Sequence, residues 1–391
     1  MKIFFRICIF LFFFAGCLVP IQAFSQVPSS ESVVVDDLQP LVPPLQKDEF
    51  FRGQVVSVVS EHTKEEYGQM FVVQNIKVKL LTGQEKGLEV IISHELGLQK
   101  SEQKLKPGQK VILGKQQQDS GVSYYVSDRY RLNSLIWIGF FFFCLIIFFA
   151  RTQGLRAFLG LLTSFCILFF YGIPALLQGS NPLTVSLVVS FGIVCTSLYI
   201  AHGFRLRTTI AFISIVITLG LSAFLSWIFV RVSHVTGLGT EEAFFLQTSE
   251  MFGSIIDLRG LLLAGFLIGT LGVLDDVATA QSATVEELHK ANEKLNFFEL
   301  YTRGISVGKE HIVSLVNTLI LAYTGASFPL ILLLWIYETP VWVTINSEMI
   351  AEEILRMLAG STALVLAVPI TTCLAAWIFS KKSVSSFDKS K

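Results

Sequence analysis

Long apolar stretches dominate the chain beyond residue 131. Seven of them are long enough to cross a hydrocarbon core of about 30 Å as α-helices. These stretches are Leu132–Ala150, Leu155–Leu177, Leu183–Ala201, Thr208–Val230, Leu258–Leu274, Ile312–Tyr337 and Ser361–Phe379. The pattern predicts an all-α helical membrane bundle of about seven spans over residues 132–380.

A different pattern precedes the bundle. Five short runs are rich in Val, Ile and Tyr and are bounded by turn residues, as β-strands are. They are Phe50–Val59, Phe71–Leu81, Leu88–Ser93, Gln109–Leu113 and Ser123–Val126. This spacing predicts a small closed β-barrel over residues 48–131, of which the OB fold is one form, because closure hides the strand edges. The mixed charges of this domain favour an adaptor over a catalytic module.

The first residues have the pattern of a targeting signal. Lys2 and Arg6 precede an apolar run, and Ala23 and Ser25 are the small residues that a signal peptidase reads. We expect a signal peptide over residues 1–25, and the alternative is an uncleaved signal anchor. Residues 26–47 are punctuated by proline and partly acidic, which is typical of a linker. Both alternatives export the β domain.

Lys and Arg residues in the short loops indicate the orientation of the bundle. If the β domain is exported, the cytoplasmic side holds most of the basic residues, namely Arg151, Arg156, Arg205, Arg207, Lys290, Lys294, Arg303, Lys309, Lys381, Lys382, Lys389 and Lys391. The opposite side holds only Arg231, Arg259 and Arg356. We expect a multi-pass protein of the inner (cell) membrane, with an extracytoplasmic N-terminal domain and a cytoplasmic tail over residues 381–391.

Composition excludes several classes of protein. Hydrophobic residues make up 52% of the chain and charged residues 15%, whereas soluble domains have about 25% charged residues. Lys+Arg and Asp+Glu both number 30, so no basic excess indicates nucleic-acid binding. The six Cys lie in apolar segments without a CxxC spacing, and the six His form no ligand motif. The sequence predicts no metal site and no cofactor.

The fifth predicted span carries the most informative polar pattern. At about 100° per residue, Gly265, Gly269 and Gly272 share one face with Asp276, whereas Asp275 lies roughly a quarter-turn away. Small residues at this spacing favour a helix-packing seam, because they let a second helix approach closely. The alternative is that the two carboxylates, at the cytoplasmic end, attract or release a cation or proton. In that case Asp276 is expected to face the neighbouring helix or cavity.

The sixth predicted span offers further polar positions. Asn317 and Thr324 lie on one side of this span. The Asn317 amide either bonds a neighbouring helix or lines a polar pathway. Together with Asp275 and Asp276, these two residues form the candidate ion or substrate pathway.

Other segments have the composition of helices outside the hydrocarbon core. Thr240–Phe252 and Ser347–Leu358 have the pattern of interfacial helices. Val277–Leu300 has the composition of a solvated helical extension of the fifth span. Within the seventh span, Pro369 is expected to break the helix.

Two classes of enzyme are disfavoured by residue type. Gly304–Glu310 is not a Walker phosphate loop, because three residues separate its glycines and Glu stands where Ser or Thr should bind magnesium. An intramembrane aspartyl protease needs carboxylates from two helices, and no second span offers an Asp. We therefore do not expect an enzyme.

Three blocks of sequence carry a resemblance to a known family. Leu271–Ala278, Asn317–Ser327 and Glu353–Arg356, in this order, resemble the bacterial YibE/F-like family of multi-pass membrane proteins. The resemblance implies a membrane protein with a presumed transport role and supplies neither a substrate nor catalytic residues. It places Glu353 and Arg356, a candidate structural pair, at motif positions together with the two aspartates and Asn317.

These observations lead to two expectations for function. The first is a transporter or permease component of unknown substrate. The alternative is a non-transporting scaffold or assembly factor whose exported β domain binds a partner. In either case the expected partners are the lipid bilayer, a protein that meets the exported domain, and further copies of the chain.

Overall fold

The computed structural model describes residues 49–66, 69–97, 104–118, 121–249, 255–336 and 339–388. These residues divide into two compact units, 49–145 and 146–388. The first unit contains the predicted β domain, and the second contains most of the predicted bundle. The predicted signal (1–25), the predicted linker (26–47) and residues 389–391 of the predicted tail lie outside the described residues.

The first unit contains an antiparallel sheet of five strands. They are β1 (Glu49–Glu66), β2 (Gln69–Leu80), β3 (Glu89–Gly97), β4 (Lys110–Gln118) and β5 (Gly121–Arg129). Their order in the sheet is β3-β2-β1-β4-β5. Each strand overlaps one predicted strand, so the β domain is confirmed as an antiparallel sheet. Its closure into an OB-like barrel stays a prediction.

Apolar side chains fill one side of this sheet because inward positions alternate along each strand. The buried cluster consists of Val55, Ile76, Val78, Leu80, Ile92, Leu105, Val111 and Leu113. Gly53 lies where β1 crosses this core. A Cβ at that position would lie 2.6 Å from Val78 and 2.9 Å from Leu113, so only glycine lets the strand pass this closely.

Ten α-helices follow the sheet within the described residues. They are α1 (Leu132–Ile167), α2 (Ile173–Leu177), α3 (Pro182–His202), α4 (Leu206–Val232), α5 (Glu241–Thr248), α6 (Leu258–Ala291), α7 (Phe297–Ala326), α8 (Phe328–Ile336), α9 (Val341–Asn346) and α10 (Glu348–Asp388). A π-helical turn, Leu168–Gly172, joins α1 to α2. Local sequence explains several helix starts. The Asn181 side chain caps α3 ahead of Pro182, and Asn296 and Glu299 form a capping box at α7.

Six helical stretches of the described chain are long and apolar enough to cross a membrane. They are Leu132–Leu177, Pro182–His202, Leu206–Val232, Leu258–Ala291, Phe297–Ala326 and Glu348–Lys381. The first and second predicted spans both fall in the first stretch, on either side of Arg151, which has a non-helical φ of 48°. A Cβ on Gly154 would lie 2.7 Å from the Ile146 carbonyl oxygen, so the chain bends sharply there. The helical bundle is confirmed, and the count of seven spans stays a prediction.

Helix α6 lies at the centre of the second unit, where it packs against α3, α4, α7 and α10. The central apolar cluster comes mainly from four of these helices and consists of Val194, Leu198, Ala211, Ile215, Leu219, Ala223, Leu267, Leu271, Leu274, Val277, Ala278, Ala363, Leu364, Ala367 and Val368. Buried hydroxyl groups such as those of Ser214, Thr218 and Thr270 donate to the carbonyl oxygen four residues earlier in their own helix. This bonding lets small polar residues occupy the core without a partner helix.

The prediction of a solvated extension after the fifth span is wrong for its first half. Helix α6 continues to Ala291, and Val277, Gln281 and Val285 are buried. The reason is that α4 and α10 extend alongside α6 and supply apolar partners such as Ile210 and Ala375.

The expected helix boundaries at the seventh span are also corrected. Ser347–Leu358 is not a separate interfacial helix, because the chain from Glu348 onward belongs to α10. Pro369 lies inside this helix and does not break it. A proline removes one backbone hydrogen bond, and packing against α6 and α7 holds the helix together around it.

Candidate functional site

Two adjacent carboxylates, Asp275 and Asp276, lie on α6. The structure reverses the exposure expected for them. Asp276 is exposed, whereas Asp275 is half-buried and its Oδ1 is shielded from water. Within the described residues, no group donates a hydrogen bond to that oxygen. Asp276 lies within electrostatic range of His202 at the end of α3. Asp275 is therefore the carboxylate whose charge the fold leaves without a partner.

Within the described residues of one chain, the glycine face of α6 makes little contact with other helices, so the predicted packing seam stays a prediction. Gly265, Gly269 and Gly272 are all exposed. A Cβ on Gly265 or Gly272 would meet no atom within 4 Å, and one on Gly269 would lie 2.9 Å from the Tyr323 hydroxyl oxygen of α7. The physical reason is that the helices around α6 cover its opposite face, where Leu267 is buried. Only Gly269 therefore approaches a second helix.

Glu353 and Arg356 form an ion pair in the first turns of α10, with 3.0 Å between Oε1 and Nη1. The Arg356 guanidinium also lies 5.7 Å from the centroid of the Phe266 ring on α6. Such a cation over an aromatic face is attracted by the ring quadrupole. The structure thus brings the candidate structural pair together and uses it to join α10 to α6.

Two further glutamates of α10 hold the segment between α4 and α5. Oε1 of Glu348 accepts hydrogen bonds from the backbone amides of Thr236, at 2.6 Å, and Gly237, at 3.1 Å. Oε1 of the buried Glu352 accepts one from the amide of Gly239, at 2.8 Å. Glycine is required at 237, where φ is +91° and a Cβ would strike Leu258. The sequence analysis did not predict this contact. Its only signal in the sequence is the pair of glycines, Gly237 and Gly239, near a long polar loop.

Asn317 and Thr324 are not joined to the aspartates by any contact among the described residues. Asn317 is exposed on α7. Thr324 is half-buried, and its hydroxyl lies 3.8 Å from the sulfur of Met357 on α10. The predicted pathway residues therefore fall in separate places, with the carboxylates on α6 and the amide on the outer side of α7.

A buried polar contact that the sequence did not indicate connects three helices. The Gln281 side-chain amide of α6 donates to the carbonyl oxygen of Gly304 on α7, at 2.8 Å, and to the hydroxyl of Thr372 on α10, at 2.7 Å. All of these groups are inaccessible to water. Gln281 thus fixes the mutual positions of α6, α7 and α10 at a level beyond Asp275 and Asp276, towards the C-terminal end of α6.

The carboxylates limit the chemistry that this region can support. No set of three or more His, Cys, Asp or Glu side chains in the described ranges could hold a metal ion. A single half-buried carboxylate can bind a proton, or a cation that keeps part of its water shell. The arrangement is therefore suited to transient binding of a small cation.

Comparison with known proteins identifies the helical part. The sequence model of the YibE/F-like protein family matches residues 138–381. This match covers more than half of the chain, includes Asp275, Asn317 and Glu353, and leaves the sheet outside it. No curated protein and no solved structure matches the chain significantly. With its six apolar helices, the chain is a multi-pass membrane protein, and it belongs to the YibE/F-like protein family.

Proposed function

We propose that this protein is a transporter or permease component of the inner membrane, and that Asp275 binds the proton or metal cation that it moves. One observation carries the proposal. Oδ1 of Asp275 is shielded from water in a membrane helix, and no described group donates a hydrogen bond to it. An ionised carboxylate in this position is costly, and binding of a proton or cation removes that cost.

The surroundings of Asp275 support reversible binding. Asp276 is exposed next to it, so a cation from the aqueous phase reaches the exposed carboxylate first. His202 and Arg207 lie at the same end of the bundle. The positive charge of the Arg207 guanidinium opposes permanent occupation by a cation, which favours release as well as capture.

Loop charges support a cytoplasmic position for this end of the bundle. Arg205 and Arg207 follow α3, and Lys290 lies in the last turn of α6, on the side that carries Asp276. By the positive-inside tendency, this end faces the cytoplasm and the sheet domain is exported. The proposed direction of access to Asp275 is therefore from the cytoplasm.

Flux measurements on purified protein test the proposal. Proteoliposomes with an entrapped fluorescent dye specific for the ion under test would receive gradients of protons, K⁺, Mn²⁺ and Zn²⁺ in turn, with empty vesicles as the blank. Wild-type protein should accelerate at least one flux. Asp275→Asn keeps the size of the side chain and removes its charge, so it should lower that flux at least tenfold without lowering membrane abundance.

Asp276→Asn is the matched control. It removes the same charge one residue away from an exposed position, so it should slow capture and leave most of the flux. Wild-type vesicles no more permeable than empty ones would favour the scaffold over the transporter. An Asp275→Asn variant with the wild-type flux would contradict the role of Asp275 and would leave the transporter proposal standing.

A further inference from the structure

One face of α7 is unusual for a helix that crosses a membrane. Val307, Glu310, Ser314, Asn317 and Leu321 follow each other at alternating spacings of four and three residues, and all five are exposed. A spacing that averages 3.5 residues places them on one continuous stripe, as in the seam of a coiled coil. We refer to these five residues as the α7 stripe.

The α7 stripe points away from the other described helices of the chain. The opposite face of α7 packs against α10, where a Cβ on Gly304 would lie 2.7 Å from Thr372 and one on Gly308 would strike Val368. Only the two glycines and Leu300 are buried along α7. Among the residues that the structure describes, the stripe is therefore not part of the packing within one copy of the chain.

Polar groups on this stripe need a partner that lipid cannot supply. Within the described residues, the side chains of Glu310, Ser314 and Asn317 make no hydrogen bond and no ion pair with the rest of the chain. Hydrocarbon offers neither donors nor acceptors, so an amide that faces it loses the hydrogen bonds it makes in water. Asn317 lies well inside the apolar part of α7, which makes its exposure the most costly of the three.

We propose that the α7 stripe is the contact surface between two copies of this chain. All copies inserted in one membrane share one orientation, so a two-fold axis between them must run along the membrane normal. The two α7 helices are then parallel, and each stripe residue meets its own counterpart. An amide donates and accepts, so Asn317 can pair with Asn317 of a second copy, and the Ser314 hydroxyl can do the same.

The remaining stripe residues fit this arrangement. Val307 and Leu321, which are 44% and 61% exposed in one copy, supply apolar contacts at either end of the polar pair. Glu310 meets the Glu310 carboxylate of the second copy at the aqueous end of α7, where both carboxylates stay hydrated and the exposed His311 beside each can donate to the other copy. Polar residues inside such a seam, here Ser314 and Asn317, fix the register of the two helices.

Disulfide formation in membranes tests the contact. The full chain, with its six native cysteines replaced, would carry a single cysteine at position 314 or 313. Ser314→Cys should give a cross-linked dimer under mild oxidation. Val313→Cys is the control, because this neighbour is 72% exposed and points about 100° away, and it should remain a monomer. Equal cross-linking of both variants, or none with Ser314→Cys, would overturn the proposal.

A second variant separates a dimer contact from a lipid-facing surface. Asn317→Leu removes the amide and makes the stripe more compatible with lipid. If two copies meet here, the dimer fraction in Ser314→Cys membranes should fall on the order of tenfold. If the stripe faces lipid, the variant should express as well as or better than wild type with cross-linking unchanged. A cross-link to a different protein would also reject the second copy as occupant.

Discussion

The sheet and the helical bundle place their polar groups in opposite ways. In the sheet, the ion pairs Lys77–Glu89 and Lys115–Glu85 lie at the surface, and the core is almost entirely aliphatic. In the bundle, the surface is largely apolar, and Gln281 and Thr372 are buried between helices. Burial of apolar area can therefore specify the fold of the sheet. It cannot specify the bundle, because apolar residues face both lipid and core there, so small and polar residues determine which helix faces meet.

The largest effect should follow from filling a glycine at a helix contact of the bundle. Gly304→Leu places a side chain where a Cβ already lies 2.7 Å from Thr372 and 3.0 Å from Val285. We expect a loss of stability on the order of 3 kcal/mol, seen as a lower melting temperature in detergent and lower membrane abundance. Gly272→Leu is the control, because no atom lies within 4 Å of its Cβ. Equal damage at both glycines would show that the exposed glycine face of α6 is packed in the native membrane.

An intermediate effect is expected from removing the buried amide of the bundle. Gln281→Leu keeps the approximate volume and removes the hydrogen bonds to Gly304 and Thr372. The expected loss is about 1–2 kcal/mol, because both partners stay buried. Thr279→Val serves as the control, since that hydroxyl bonds only within α6. Thermal unfolding of the detergent-solubilised variants measures the difference, and equal melting temperatures would mean that Gln281 does not fix the three helices.

The smallest effect should come from a surface ion pair of the sheet. The hydrogen bond from Lys115, followed by that from Tyr124, lowers the pKa of Glu85 below its ordinary value. Because the pKa is lower in the folded state, the stabilisation is present at neutral pH and is lost as the pH falls below about 4.3 and through the folded-state value. The urea midpoint of segment 48–131 should therefore drop more between pH 7 and pH 3 in wild type than in Glu85→Gln.

Two controls accompany the pH measurement. Circular dichroism must first show strand structure in segment 48–131, since a disordered segment contradicts an independent β domain. Glu95→Gln alters an exposed carboxylate for which the described residues show no ion pair, and it should leave the pH dependence unchanged. A Glu85→Gln variant with the full wild-type pH dependence would show that other groups dominate it.

Sequence alone located the elements that depend on local pattern. The alternation in Phe71–Leu81 depends only on neighbouring residues, and it falls almost entirely within β2. The predicted fifth span begins at Leu258, which is also the first residue of α6. Length and hydropathy are likewise local properties, so they are sufficient to find most apolar spans. The first two predicted spans form one helical stretch, which bends at Arg151.

The neighbours of each helix face could not be predicted in the same way. A helical angle shows that Gly272 and Asp276 share a face, but it does not show whether that face meets a helix or is exposed. The three glycines suggested contact, and the surrounding helices instead cover the opposite face of α6. Gln281 was missed because its helix was predicted to be solvated, and the four-residue spacing of Gly304 and Gly308 was the signal that another helix approaches there.

Helix α6 has a mechanical consequence that follows from its length. It runs without interruption for 34 residues, Leu258–Ala291, and so measures about 50 Å, roughly 20 Å more than a hydrocarbon core. In a helix of this length, a small tilt displaces the helix end by a large distance. A tilt of about 10° at the level of Asp275 displaces the far end by several ångströms. If Asp275 binds a cation as proposed, the uninterrupted helix connects that carboxylate to the end of α6 outside the hydrocarbon core, with no hinge between them.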